Sequence, residues 1–95
     1  MTTFDFGSGP VPAHQHHNGG GWVAETAYVG PNARVSGYAE VYDNAEVTGN
    51  AEVTGNAEVY DNARMSGDAV VYDNARVSGD AVVSGDAVVY GNAKG

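Results

Sequence analysis

From Val23 onward the chain repeats every six residues, each hexad opening on an aliphatic residue and carrying Ala at its fifth position. The hexads read VAETAY, VGPNAR, VSGYAE, VYDNAE, VTGNAE, VTGNAE, VYDNAR, MSGDAV, VYDNAR, VSGDAV, VSGDAV and VYGNAK. The first position is Val eleven times and Met once, at Met65, and the fifth is Ala in all twelve, from Ala27 to Ala93. A helix would space its apolar residues by three and four, which this pattern does not do. Ala and Val alternate with polar residues instead, as in Ala39-Glu40-Val41-Tyr42, and this predicts a short strand with one face inward. The two residues that follow are mostly Gly-Asn, Asp-Asn or Gly-Asp. These types tolerate left-handed backbone angles, so a sharp corner is expected at each pair.

Four strand residues and two corner residues, repeated, give a coil with flat sides. Three sides take eighteen residues, so the twelve hexads predict four coils. Stacked at ~4.8 Å, the coils would make a prism on the order of 15–20 Å tall. Small Ala beside branched Val fills a narrow interior in identical layers, each stabilising mainly its neighbour. The expected fold is all-β: a single-stranded, three-sided parallel β-helix of about four coils over residues 22–95. Residues 1–21 stand outside the repeat as an irregular N-terminal leader, either a cap or an arm.

An aliphatic first residue and a small fifth one, held over residues 23–94, resemble the hexapeptide-repeat proteins with a left-handed β-helix. The resemblance implies the left-handed winding, which spacing alone does not show. The hexad Val29-Gly30-Pro31-Asn32-Ala33-Arg34 is most similar to the enzyme members of that family. The later Gly-Asn and Asp-Asn hexads resemble short non-enzymatic repeat proteins of bacteriophages, and the leader Phe4-Asp5-Phe6-Gly7-Ser8-Gly9-Pro10-Val11-Pro12-Ala13-His14 is similar to leaders of such proteins. The resemblance further implies assembly through the prism sides, commonly as trimers.

Residues eighteen apart should lie above one another. One side then carries Trp22, Glu40/Tyr42, Glu58/Tyr60 and Arg76/Ser78 outward, and a second carries Tyr28/Gly30, Glu46/Thr48, Arg64/Ser66 and Val82/Ser84. The third carries Arg34/Ser36, Glu52/Thr54, Val70/Tyr72 and Val88/Tyr90. Opposite charges stack at Glu58 and Arg76, Glu46 and Arg64, and Arg34 and Glu52, an arrangement expected to hold coil register. On the third side Val70, Tyr72, Val88 and Tyr90 should form a contiguous apolar and aromatic patch, the composition of a protein interface. Self-association as a trimer or dimer is the leading reading, and tyrosines that only rigidify the sheet the other.

Glu25, Asp43, Asp61 and Asp80 are expected to line one corner, with Asn44 and Asn62 beside them. A linear ridge offers a cation one or two oxygens at a time, whereas Ca²⁺ needs six to eight converging, so no calcium site is expected. The ridge is either merely solvated, or an acidic edge that imitates nucleic acid or docks on a basic host protein. A ~4.8 Å layer spacing departs from that of successive phosphates, which counts against close mimicry.

In the leader, Phe4 and Phe6 alternate with a charge, a Gly- and Pro-rich stretch follows, and Gly19-Gly20-Gly21 forms a hinge or a close-packed bend before Trp22. An open first coil needs cover, and Phe4, Phe6 and Trp22 are the expected lid; otherwise the leader crosses to a neighbouring subunit. All three histidines lie here. In extended chain His14 and His16 point the same way, a weak metal candidate that three copies could complete on a symmetry axis; a polar linker is the plainer reading. The repeat runs on to Lys94-Gly95 with no capping helix, an edge either paired by another copy or guarded by Lys94 and Gly95.

Composition narrows function. The 95 residues include 14 Gly, no Leu, no Ile and no Cys, which excludes disulfides and thiolate zinc sites. No apolar run matches a signal peptide or membrane span, so a cytoplasmic protein without membrane contact is expected, in the host cytoplasm if it is phage-encoded. Twelve acids against four bases, net −8, disfavour direct nucleic-acid binding and favour a basic partner. The family's acyltransferases resemble this chain only in the repeats. They add a catalytic His and a C-terminal extension that helps bind an acyl-coenzyme A donor, and here no His follows His17 and no loop interrupts the hexads. The positions that carry three histidines in carbonic-anhydrase-like relatives are empty, and no Ser/His/Asp or paired-carboxylate set stands apart from the repeat. Only Thr48 and Thr54 face outward on strands, too few for an ice-binding ladder. The expectation is a non-enzymatic protein without cofactor: a phage accessory protein that binds and inhibits a host macromolecular complex in defence or nucleic-acid processing. A virion spacer or tip protein is the alternative, and an acyltransferase-like enzyme the less favoured one.

Overall fold

The computed structural model describes residues 2–92, and among them no helix occurs. The leader forms β1 (Thr3–Asp5) and β2 (Pro10–Gln15). Coil one then holds β3 (Trp22–Ala24), β4 (Tyr28–Val29) and β5 (Arg34–Val35), and coil two holds β6 (Glu40–Val41), β7 (Glu46–Val47) and β8 (Glu52–Val53). Coil three holds β9 (Glu58–Val59), β10 (Arg64–Met65) and β11 (Val70–Val71), and coil four β12 (Arg76–Val77), β13 (Val82–Val83) and β14 (Val88–Val89). Strands eighteen residues apart pair in parallel. Val23, Val41, Val59 and Val77 fall in register on the first side. Val29, Val47, Met65 and Val83 do so on the second, and Val35, Val53, Val71 and Val89 on the third. The result is a three-sided solenoid of about four turns.

The interior follows the two fixed hexad positions. Every first-position residue from Val35 to Val77 and every fifth-position Ala from Ala33 to Ala75 is at most 1% exposed. Val is restricted at χ1 and packs well on a pleated surface, and each buried Val contributes roughly 1.5–3 kcal/mol. Met65 is the one long side chain in these layers, an unbranched thioether that fits between Val47 and Val83. Burial relaxes in coil four, where Val89 is half-buried and Ala87 exposed. Ala93, Lys94 and Gly95, on which the reading of the far edge rests, lie outside the described residues.

Corners are built more narrowly than the dipeptides suggest. Only the third hexad residue takes the left-handed conformation, with φ between 60° and 67° at all ten such positions from Gly37 to Gly91. The fourth residue's N–H then donates to the third residue of the next coil, as from Asn44 to the Asp61 carbonyl at 2.9 Å and from Asn50 to the Gly67 carbonyl at 2.8 Å. Backbone ladders therefore run along the corners as well as the sides. Three corners use Asp where others use Gly, and each Asp carboxylate accepts from the amide eighteen residues on. Asp43 Oδ2 takes the Asp61 N–H at 3.4 Å, Asp61 Oδ2 the Gly79 N–H at 3.1 Å, and Asp73 Oδ2 the Gly91 N–H at 3.4 Å.

Those carboxylates make a substitution at Gly49 diagnostic. A Cβ there would stand 2.9 Å from both the N and the O of Gly67. Gly49→Ala is expected to cost at least the ~1–2 kcal/mol of a left-handed L-residue. Gly49→Asp should recover roughly 0.5–1.5 kcal/mol of that through the Gly67 amide. Urea midpoints at pH 7 should rank Gly above Asp above Ala; equal midpoints for the two variants would mean that the carboxylate contributes nothing.

The leader folds onto its own first coil. β1 and β2 pair antiparallel, and β2 pairs antiparallel with β3, so the first side continues into a six-stranded sheet ordered β1-β2-β3-β6-β9-β12. Phe4, Phe6 and Trp22 do not form the expected lid. They stack along the sheet's outer face: Phe4 on Trp22 at 4.8 Å, Phe6 on Tyr42 at 4.9 Å, and Tyr42 on Tyr60 at 4.9 Å. Ala24 stands eighteen residues before Tyr42, and its small side chain leaves that place to Phe6. The lid is instead His16 with the glycine bend. The Gly21 N–H donates to Val35 O at 2.8 Å and the Val35 N–H to Asn18 O at 3.1 Å. A Cβ on Gly19 or Gly21 would collide with Val35, so the bend is close-packed.

Candidate functional site

On the third side, where β5, β8, β11 and β14 lie in one sheet, the outward residues change from Arg34 and Glu52 to Val70 and Val88. Tyr72 and Tyr90 stack beside them with ring centroids 5.5 Å apart and planes 13° off parallel. Val88 and Tyr90 are 51% and 58% exposed, while Val70 and Tyr72 are half-buried under their neighbours. The four side chains are thus adjacent. Tyr38, exposed at a first-coil corner, was not singled out from the sequence, and Val82, placed outward on the second side, was not joined to this patch one corner away. Val82 follows from the same eighteen-residue count, because it sits outward beyond Arg64.

The first side concentrates charge. Arg76 Nε stands 4.0 Å from Glu58 Oε2; among the described residues the stacked Glu46 with Arg64 and Arg34 with Glu52 share register without coming that close. Glu58 also accepts from the Tyr42 hydroxyl at 2.6 Å. Burial raises the Tyr42 hydroxyl well above the ordinary tyrosine range, with Glu58 adding to it. Glu40 lies in register with Glu58, and burial followed by that like charge raises its carboxyl.

The acidic corner is shorter than Glu25, Asp43, Asp61 and Asp80 in one line. Asp43, Asp61 and Gly79 are stacked, because eighteen residues beyond Asp61 the chain has Gly79. Asp80 belongs to the neighbouring file with Asn44 and Asn62, and both files border one shallow groove with Thr26. Glu25 leaves the ridge. Its corner is not left-handed, and its Oε2 meets His14 Nδ1 at 2.7 Å.

The histidines are each engaged separately. His14 is held by Glu25. His16, 4% exposed, donates from Nε2 to the Ala33 carbonyl at 2.9 Å, and His17 donates to the Pro31 carbonyl at 3.1 Å. Burial lowers the His16 pKa, the Ala33 carbonyl opposes this, and His17 and His14 lower it further. His14 and His16 therefore serve the cap, and among the described residues no three His, Asp or Glu side chains gather as a metal site would need.

Beside the His14–Glu25 pair, the leader's turn and the first corner enclose a cleft. Phe6, Val11, Pro12 and Tyr42 supply apolar walls, and Glu25 and Asp43 supply carboxylates. Nothing in the hexads indicated it, since half of it comes from the leader.

Residues 69–85, nearly one full coil running from β11 to β13, match the family model of the YdcK beta solenoid repeat. No curated protein matches the chain, and no solved structure does. Hexads, register and this match together identify the chain as a β-solenoid repeat protein of about four turns.

Proposed function

We propose that the protein is a non-enzymatic, acidic binding protein that self-associates, as a dimer or trimer, through the far half of its third side and offers its acidic remainder to a basic partner. The observation that carries this reading is the exposed, adjacent set Val70, Tyr72, Val88 and Tyr90 on a side whose first two coils are charged. A second copy carries the same net −8, so two copies repel except where the surface lacks charge. The patch is such a place, and its paired tyrosines are the amphipathic anchors that interfaces favour. Four side chains on two coils fall short of the ~1,200 Å² of a stable complex, so association is weak and reversible. The resemblance of the hexads to short phage proteins supports a host complex in defence or nucleic-acid processing as the partner, inhibited by occupation of its basic surface.

Light scattering over a concentration series tests the self-association. The average mass should rise with concentration for the native chain and stay at the monomer value for Val88→Glu, whose melting temperature should be little changed because Val88 is half exposed. A native chain that remains monomeric at the highest concentration would remove the interface. Pull-down from host lysate tests the rest: a stoichiometric basic partner supports the reading, and recovery in purified virions alone replaces it with a structural role.

A further inference from the structure

The cleft between leader and first corner has a volume of about 340 Å³, within the usual range for a site that takes a small group. Its walls are fixed before anything binds. Asp5 Oδ1 accepts the amides of Gly7 and Gly9 at 2.7 and 3.2 Å, which sets the turn, and Pro12 restricts the backbone behind it. Glu25 is held by His14, and Asp43 Oδ2 is engaged by the Asp61 amide, leaving Oδ1 free. Phe6 and Tyr42 are stacked on each other and cannot fold in to fill the space.

These features select the occupant by elimination. Two carboxylates and no basic lining residue exclude an anion. An apolar ligand would cover the remaining oxygen of each carboxylate, Glu25 Oε1 and Asp43 Oδ1, without offering it a donor, which is costly. A bare metal ion needs oxygens on all sides, and here one wall is Phe6, Val11 and Pro12. An apolar stem ending in a cation satisfies every wall. Among protein side chains arginine fits best: its methylenes pack on the apolar wall and along the edges of the stacked rings, and its fork of donors reaches more than one carboxylate. We infer that the cleft takes an arginine side chain of the basic partner protein, with the stem along Phe6 and Tyr42 and the guanidinium at Glu25 and Asp43. This rests on the binding-protein reading and names the point at which the partner is anchored.

The test is a titration of the full chain with a short peptide centred on arginine and with its citrulline counterpart, which keeps the shape and removes the charge, followed by amide and aromatic NMR shifts. The arginine peptide should move the signals of Phe6, Ala24, Thr26 and Tyr42, and the citrulline peptide should bind about tenfold more weakly, as expected for two exposed ion pairs worth a few-fold each. Asp43→Asn should weaken the arginine peptide about fivefold by the same reasoning. That substitution keeps an acceptor for the Asp61 amide and tolerates the left-handed corner, so the fold is retained. Glu25→Gln, at an exposed position, provides a second variant with the same expected loss. Equal binding of both peptides, or shifts centred on Asp61 and Asp80, would overturn the assignment. Capture of a basic partner undiminished by either substitution would remove the cleft while leaving the binding-protein reading in place.

Discussion

A chain carrying Val59→Asp is expected to show no cooperative unfolding transition at neutral pH. Val59 is fully buried midway along the first side, in register with Val41 on one coil and Val77 on the other. Its surroundings are Ala and Val, with nothing to receive a carboxylate. An uncompensated buried charge costs several kcal/mol. The whole stability of a domain is about 5–15 kcal/mol, and one of 95 residues sits low in that range. Solenoid geometry sharpens the effect, because coils two and three stabilise their neighbours through this layer and no alternative contact replaces it. Val59→Ala is the matched control. It loses two methyl groups and leaves a small cavity, about 2 kcal/mol in all, and should still melt as one unit at lower temperature. Far-UV circular dichroism on heating distinguishes the three chains. A Val59→Asp variant that melts like the native protein would mean that the interior is not the closed core described.

Removal of the leader should come second in size. Without residues 2–21, β3 loses its partner β2, and Val35 loses the bond it donates to the Asn18 carbonyl and the one it accepts from the Gly21 amide. An apolar layer and a strand edge are then exposed together, the combination that leads to edge-to-edge aggregation. Light scattering should show large particles at concentrations where the intact chain gives none. A monodisperse truncated protein with an unchanged melting temperature would mean that the cap contributes little. Acid should reproduce part of this loss. Burial in the folded cap holds the His16 imidazole below its ordinary value, whereas in the opened state it titrates near 6.5. Below that pH the open state binds the additional proton, so the His16 contribution is complete above 6.5 and declines as pH falls through it. Glu40 acts in the opposite sense at lower pH, because its raised carboxyl makes the folded state the better proton binder there. The melting temperature should therefore fall between pH 7 and pH 5 in the native chain and fall less in His16→Gln. Equal slopes would assign the acid sensitivity elsewhere.

The coil was legible because one period governs both its interior and its stacking. Val at the first hexad place and Ala at the fifth specify what lies inside, and the same count of eighteen puts Val70 against Val88. The leader lacks that period, and hydrophobicity alone does not say which surface an aromatic will cover. Phe4 and Phe6 cover the outside of the sheet, whereas the polar His16 closes the inside. Two signals for this were present in the sequence. Phe4-Asp5-Phe6 alternates as strands do, and Ala24 stands where later coils of that side carry Tyr42 and Tyr60. The pairing of His14 with Glu25 was out of reach, since it depends on how the hairpin docks. Placing Asp80 in line with Asp61 was a slip of one residue that strict counting corrects.

The eighteen-residue pairing also sets how this chain can change in length. A side is assigned to each residue by its place in a cycle of three hexads, so gain or loss of a complete cycle alters the height of the prism and leaves every downstream residue on its own side. Loss of one hexad, for instance by slippage between the identical runs Val47–Glu52 and Val53–Glu58, would keep the interior pattern intact and the chain foldable. It would also rotate everything beyond by a third of a turn, carrying Tyr72 and Tyr90 onto the side of Arg64 and away from the leader's orientation. Selection on the surfaces proposed for binding would remove such a deletion even though selection on folding would not. Natural length variants of this chain should therefore differ by multiples of eighteen.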